Sequence, residues 1–142
     1  NLNELPLQAY WEYEKGKSIE TNDVLKAIEI RNKYIEKIQN IFDRYDFLAL
    51  PSAQLFPFEK SLNNPEFINN NKIDTYHRYM EVYTLSSLLG LPTMCIPVGF
   101  NTKGLPMGIQ IIANFKEDNK IIDFAKSYEE IFNFSKFKPE LI

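Results

Sequence analysis

His77 is the only histidine in this chain, so proton transfer by an imidazole could come from nowhere else in it. The nucleophiles it could serve are Ser86, Ser87 and Cys95. If His77 and the serines share a helix, they stand about 13–15 Å apart at a rise of roughly 1.5 Å per residue. A hydroxyl at that range cannot pass its proton to the ring. Cys95 sits inside an apolar run read as a buried strand, where a thiol behaves as a small hydrophobe. An independent histidine-based triad is therefore not expected, and no residue here is assigned a catalytic role. One histidine, one cysteine and no Cys-x-x-Cys pair leave only carboxylates, in no metal-ligating pattern, so neither metal nor cofactor is expected. Gly99, Gly104 and Gly108 do not form Gly-x-Gly-x-x-Gly, and no Lys-Ser/Thr follows them. They read as turn residues and places where backbones approach closely.

The elements around these residues alternate in type. Residues 1–20 place Tyr10, Trp11 and Tyr13 among charges, as in a short helix or a packed arm. Ser18 to Thr21 carries helix-start chemistry, with Asp23 favouring the positive helix end. Val24, Ile28, Arg31, Ile35, Ile38 and Phe42 then follow at steps of four and three, one stripe of a long helix widened by Leu25 and Ile41. Arg31 interrupts the stripe, either snorkelling to water or anchoring a neighbouring segment through its five donors. Phe47–Leu48–Ala49–Leu50, stopped by Pro51, reads as a buried strand. Ser52 to Gln54 and the cluster Phe56–Pro57–Phe58 lie beyond that strand's carboxyl end, where ligands of α/β sheets commonly sit. Phe56 and Phe58 are either loop packing or the wall of a substrate channel.

Asn63, Asn64, Pro65 and Asn69 to Asn71 mark a loop. A second helix is expected from about Asp74 to Leu88, capped by Asp74 or Thr75, with Tyr76, Met80, Tyr83 and Ser87 on one face. Gly90–Leu91–Pro92 and Gly104–Leu105–Pro106 each launch an apolar run too short for a helix, so two neighbouring buried strands follow, ending near Ala113. Asp118 starts a last helix with Ile121, Ile122, Ala125, Tyr128 and Phe132 inward, stopped by the tail around Pro139. The fold class is α/β, a mixed β-sheet layered with helices.

The chain has 142 residues, 44% of them hydrophobic and 14% aromatic, enough for a real core. A net charge of −3 without a basic stripe gives nucleic acid no footprint, so none is expected as partner. No apolar window has the length of a membrane span, and the lone cysteine fits a reducing, cytoplasmic setting. The chain opens on Asn1 rather than Met and reads as a piece of a longer protein.

From about Leu5 to Ile131 the sequence resembles the C-terminal portion of the amidase signature hydrolases. The matching stations come in order. Arg31 stands on the long helix, and Tyr45–Asp46–Phe47–Leu48 leads into Leu50–Pro51–Ser52–Ala53–Gln54 and Phe56–Pro57–Phe58. Asp74 to Val82 and Gly90–Leu91–Pro92 through Pro97–Val98–Gly99–Phe100 follow, and Gly104–Leu105–Pro106–Met107–Gly108–Ile109–Gln110 closes the set. The resemblance implies amide hydrolysis by a bacterial-type serine hydrolase, with a serine nucleophile, a second serine in a cis peptide and a lysine base. Those lie in a glycine- and serine-rich region upstream of the matched part, and nothing like Gly-Gly-Ser-Ser-Gly occurs here. It implies that residues 1–142 form the C-terminal segment of the domain, without the triad. The partners implied are the missing N-terminal portion and, through the complete enzyme, a small-molecule amide. Phe56, Phe58, Met80 and Glu81 are its candidate pocket residues; Arg31, Gly90, Pro92, Gly104 and Pro106 are structural. The subunit that supplies ammonia to misacylated tRNA carries an acidic residue and a threonine on the helix before Gly90. Met80 and Tyr83 align there, while a one-residue slip brings in Glu81 and Thr84. Glu81 is otherwise a surface charge or a partner for Arg78. Three functions stay open: part of an amidase, a non-catalytic interaction module left by gene splitting, or the tRNA-dependent amidotransferase subunit. Apolar faces left without cover imply self-association.

Overall fold

A computed structural model describes residues 2–138. The chain divides into two compact units, Asn1–Lys37 and Ile38–Ile142. In the first unit a short helix α1 spans Leu7–Gly16. A long helix α2, Thr21–Phe42, begins there and ends in the second. Its start differs in detail from expectation. Ser18 Oγ donates back to the Lys15 carbonyl, closing α1, and the Asp23 carboxylate accepts the Glu20 N–H at 3.0 Å. The cap is thus made from inside the first turn, by an acid that also suits the helix dipole. Within the expected stripe Arg31 and Ile35 are half-buried, while Val24, Leu25 and Ile28 are exposed.

The second unit carries the sheet. β1 (Leu48–Pro51), β4 (Thr93–Phe100) and β5 (Pro106–Ile112) form one sheet in the order β1–β5–β4. The expected α/β class holds. Both pairings within the described residues are antiparallel, Leu48 facing Ile112 and Thr93 facing Ile112, so β1 and β4 run in the same direction but are separated by β5. This is where the expected mixed sheet is corrected: no paired strands here run parallel. A register shift between Pro97 and Gly99 bends β4 before Phe100.

Side chains of β5 alternate between two helices. Ile109, Ile111 and Ala113 pack with Ile96, Met94 and Phe47 against Ile121, Phe124, Ala125 and Tyr128 of α4 (Asp118–Phe132). Gln110 faces the other way, towards α3 (His77–Leu89). The inward face of α4 differs from the expected one: Phe124 joins the core, while Ile122 is 41% and Phe132 51% exposed. α4 ends at Asn133 in the left-handed conformation; Pro139, the expected stop, lies outside the described residues. Lys120 at the start of α4 holds Asp46 at 2.8 Å, beside β1.

The expected loop of asparagines contains a two-residue hairpin. β2 (Phe67–Ile68) and β3 (Asn71–Lys72) are joined by Asn69 and Asn70, both left-handed, at φ 48° and 64°. Asparagine tolerates that region, which a tight hairpin turn demands. The expected cap of α3 is not made. Asp74 spends its carboxylate on Arg78 Nε at 2.9 Å instead. Gly90 ends α3 at φ 70°, its N–H and that of Leu91 both closing on the Ser86 carbonyl, and Pro92 then starts the path into β4. Gly104, at φ 74°, turns the β4–β5 connection just before Pro106 opens β5.

The outer margin of β4 is partly closed. Gly108 gives its carbonyl to the Ser52 N–H, so Pro97, which faces Gly108, turns its own carbonyl away from β5. Tyr128 Oη donates to that outward carbonyl at 2.8 Å.

Candidate functional site

The carboxyl end of β1 opens into a cleft of about 400 Å³. Its wall is the segment Ser52–Phe58, which leaves β1 at Pro51; Phe56 and Phe58 both line it. The facing wall is α3, through Tyr79 and Tyr83, one turn apart on a single face. Cys95 to Pro97 of β4 and Pro106 to Gly108 of β5 complete it. Phe58 meets Tyr79 edge to face at 6.3 Å, so the walls touch at one end.

Gly108 forms the floor because nothing larger fits. A Cβ there would stand 2.9 Å from the Ile96 carbonyl oxygen and 2.9 Å from Ser52 Oγ. Gln110 lies beneath, 1% exposed. Tyr83 has its phenol pushed above the ordinary value, by burial first and then by the nearby Cys95 thiol. Cys95 corrects the sequence expectation: it is exposed and lines the cleft rather than lying buried in the sheet. Strand alternation explains it, since Ile96 takes the inward position towards α4.

The four expected pocket residues do not converge. Phe56 and Phe58 line the cleft, but Met80 lines a separate apolar cavity with His77, Tyr83, Thr84, Ser87 and Leu88. Glu81 lines a third, with Gln54, Asp74 and Arg78. Successive helix residues point about 100° apart, which turns Met80 away from Tyr79 and Glu81 away from both tyrosines, while Tyr83 borders both the cleft and the Met80 cavity. Glu81 is a partner of Arg78, which it binds through Nη1, and Gln54 Nε2 donates to the Arg78 carbonyl. The Arg78 guanidinium holds the Asp74 carboxyl below its usual range, and both acids push the guanidinium's own value up. Tyr79 and Tyr83 escaped sequence reading as cleft residues; the i, i+4 aromatic spacing was the available signal. Ser86 is buried, its hydroxyl 3.2 Å from the Tyr83 carbonyl and 3.3 Å from Gln110 Oε1, which commits it to structure. No helix is long and apolar enough to cross a membrane among the described residues.

The second unit is a layered α/β unit with an aromatic cleft at a strand's carboxyl end. The chain belongs to the amidase family, whose model matches residues 7–122. The A subunit of the glutamyl-tRNA(Gln) amidotransferase of Chlorobaculum parvum is 30% identical over 109 residues, which is 75% of this chain and 21% of that protein. Its counterpart in Thermodesulfovibrio yellowstonii is 32% identical over 119 residues, 82% of this chain and 23% of the relative. The chain therefore spans about a fifth of the length of the curated relatives it matches. Among solved structures, a bacterial aryl acylamidase of the amidase signature family superposes with a TM-score of 0.81 at 23% identity, over 94% of this chain and 28% of that one. A second amidase gives 0.73 at 21% identity, over 84% of this chain and 27% of its own. The fold is that of amidase signature enzymes.

Proposed function

We propose that this chain is the C-terminal segment of an amidase signature domain, furnishing scaffold and pocket wall. On this reading the complete enzyme hydrolyses a small or aromatic carboxamide to a carboxylate and an amine or ammonia. The observation that carries it is the apolar cleft lined by Phe56, Phe58, Tyr79, Tyr83 and Met107, lying wholly within the family-matched residues. The serine, second serine and lysine are carried by a preceding segment. That serine attacks the amide carbon, the amine departs with a proton, and water releases the carboxylate from the acyl intermediate. The residues of this chain hold the apolar part of the substrate and exclude water from it.

A second reading, the tRNA-dependent amidotransferase, is supported by the named relatives. The division of Glu81 and Thr84 between separate cavities favours the first, because a free amino acid needs an unengaged carboxylate to grip its amine. The test compares 4-nitroacetanilide and glutamine as substrates for this chain alone and for the product of the full coding region. The longer protein should release nitroaniline and the chain alone should not. Turnover by the isolated chain at ordinary amidase rates refutes the reading. Glutamine hydrolysis that depends on tRNA and on a second protein component replaces it with the amidotransferase.

A further inference from the structure

Every polar atom of the buried Gln110 side chain is engaged. Nε2 donates to the Pro51 carbonyl at 3.0 Å and to the Val82 carbonyl at 2.8 Å, while Oε1 accepts from Ser86 Oγ at 3.3 Å. Pro51 is the last residue of β1, immediately before the cleft segment that begins at Ser52. Val82 lies beside Tyr83 on the opposite wall. One amide, rooted in the central strand, therefore ties both walls of the cleft to its floor. Its orientation is fixed, because reversing it would set the oxygen against two carbonyls. A buried amide gains nothing over an aliphatic side chain unless its bonds are made, and here they are made to the two segments that face each other across the cleft.

We propose that Gln110 is a positioning residue that sets the separation of the cleft's two walls and so the fit of the substrate's apolar part. The inference rests on reading the cleft as the amide pocket. Gln110 does not touch substrate; it acts through the Pro51 and Val82 carbonyls on Phe58 and on Tyr79 and Tyr83. Gln110→Leu keeps the position apolar and removes all three bonds.

The test is nuclear magnetic resonance on the 142-residue chain, with acetanilide as the probe. In the wild type, the Gln110 side-chain amide protons should exchange with solvent on the order of a hundredfold more slowly than those of the exposed Gln8. Equal exchange overturns the proposal whether or not any variant folds. In Gln110→Leu, the Phe58–Tyr79 ring contact across the cleft should disappear while the Phe47–Phe124 contact in the core, 4.9 Å between ring centres, persists. Loss of both contacts assigns Gln110 a general folding role and overturns the proposal, as does retention of both. Acetanilide should shift the methyl signal of Met107 in the cleft and leave Met80 in the neighbouring cavity unmoved. Its affinity should fall roughly tenfold in the variant, the loss expected for two neutral hydrogen bonds that hold the site. An unchanged affinity overturns the positioning role. A wild-type Met107 signal that acetanilide does not move refutes the pocket reading instead, and the ring contacts then decide the question of cleft width alone.

Discussion

Replacing Gly108 by alanine adds one methyl group at the place where β5, β4 and the start of the cleft segment meet. The added Cβ would lie 2.9 Å from the Ile96 carbonyl oxygen and 2.9 Å from Ser52 Oγ, whereas ordinary contact begins at 3.4 Å, so each must retreat by 3.4 − 2.9 = 0.5 Å. The hydroxyl can rotate. The carbonyl cannot, because Ile96 is held in register opposite Ile109 and its side chain is in the core. Overpacking of this kind costs about 1–3 kcal/mol. Removing a glycine from the unfolded chain returns about 0.4–1 kcal/mol. The net loss is therefore centred on about 1.3 kcal/mol and at most about 2.6 kcal/mol, a fall in Tm of roughly 5 °C for a chain of this size. Urea denaturation followed by far-ultraviolet circular dichroism measures it as a lower midpoint at unchanged slope. Gly16→Ala, where nothing lies within 4 Å of the new methyl, is the control and should gain about 0.4–1 kcal/mol from the same unfolded-chain effect. If Gly108→Ala matches or exceeds the wild type in stability, the floor of the cleft is not packed as described.

Other outcomes follow from burial and charge. Ile112→Ala, at a fully buried position, should cost about 2–5 kcal/mol in the same assay, whereas Ile131→Ala, at 74% exposure, should stay within about 0.5 kcal/mol. Hydrogen bonds from Ser135, first from its side chain and then from its N–H at 2.9 Å, hold the Glu129 carboxyl below the ordinary 4.5. A depressed folded value contributes stability above the unfolded value and loses it as pH falls through the folded one. The Tyr128–Phe134 ring contact should therefore loosen on acidification below about pH 4.5 and become insensitive to pH in Glu129→Gln, as checked by proton resonance. Exposed Val24, Leu25, Ile28, Leu88 and Phe100 should make the chain self-associate when produced alone. Sedimentation velocity showing a monomer at every concentration, with a high and cooperative melting transition, would contradict that.

The long helix, the two Gly-Leu-Pro strands and the last helix were legible because their apolar periodicities are long and their boundaries carry Asp23, Gly90 and Asp118. The place of the aromatic segment after β1 was legible because the carboxyl end of a strand is where an α/β sheet leaves space, but loop packing and cleft wall read alike in the sequence. Other features depended on competition that spacing does not reveal. Asp74 suits a helix cap in sequence, yet Arg78 one turn on offers a full charge where the backbone offers a partial one. Cys95 sits in an apolar run, but only the pairing with β5 decides which alternate residues turn towards α4. Met80 and Glu81 were grouped with Phe56 and Phe58 by family position, and the helical rotation between neighbours separates them. Gln110 looked like the last letter of a strand motif, and its three bonds join segments far apart in sequence.

The Tyr128 hydroxyl on the Pro97 carbonyl has a consequence for neighbours. Proline offers no amide hydrogen, and here its oxygen is already taken. A foreign strand sliding alongside β4 thus meets two missing rungs at one level of the ladder, and the bend at Gly99 carries the backbone out of line immediately after. Copies of this chain that stick together will do so through greasy faces rather than by zipping backbones past that point, which keeps this margin from seeding fibres.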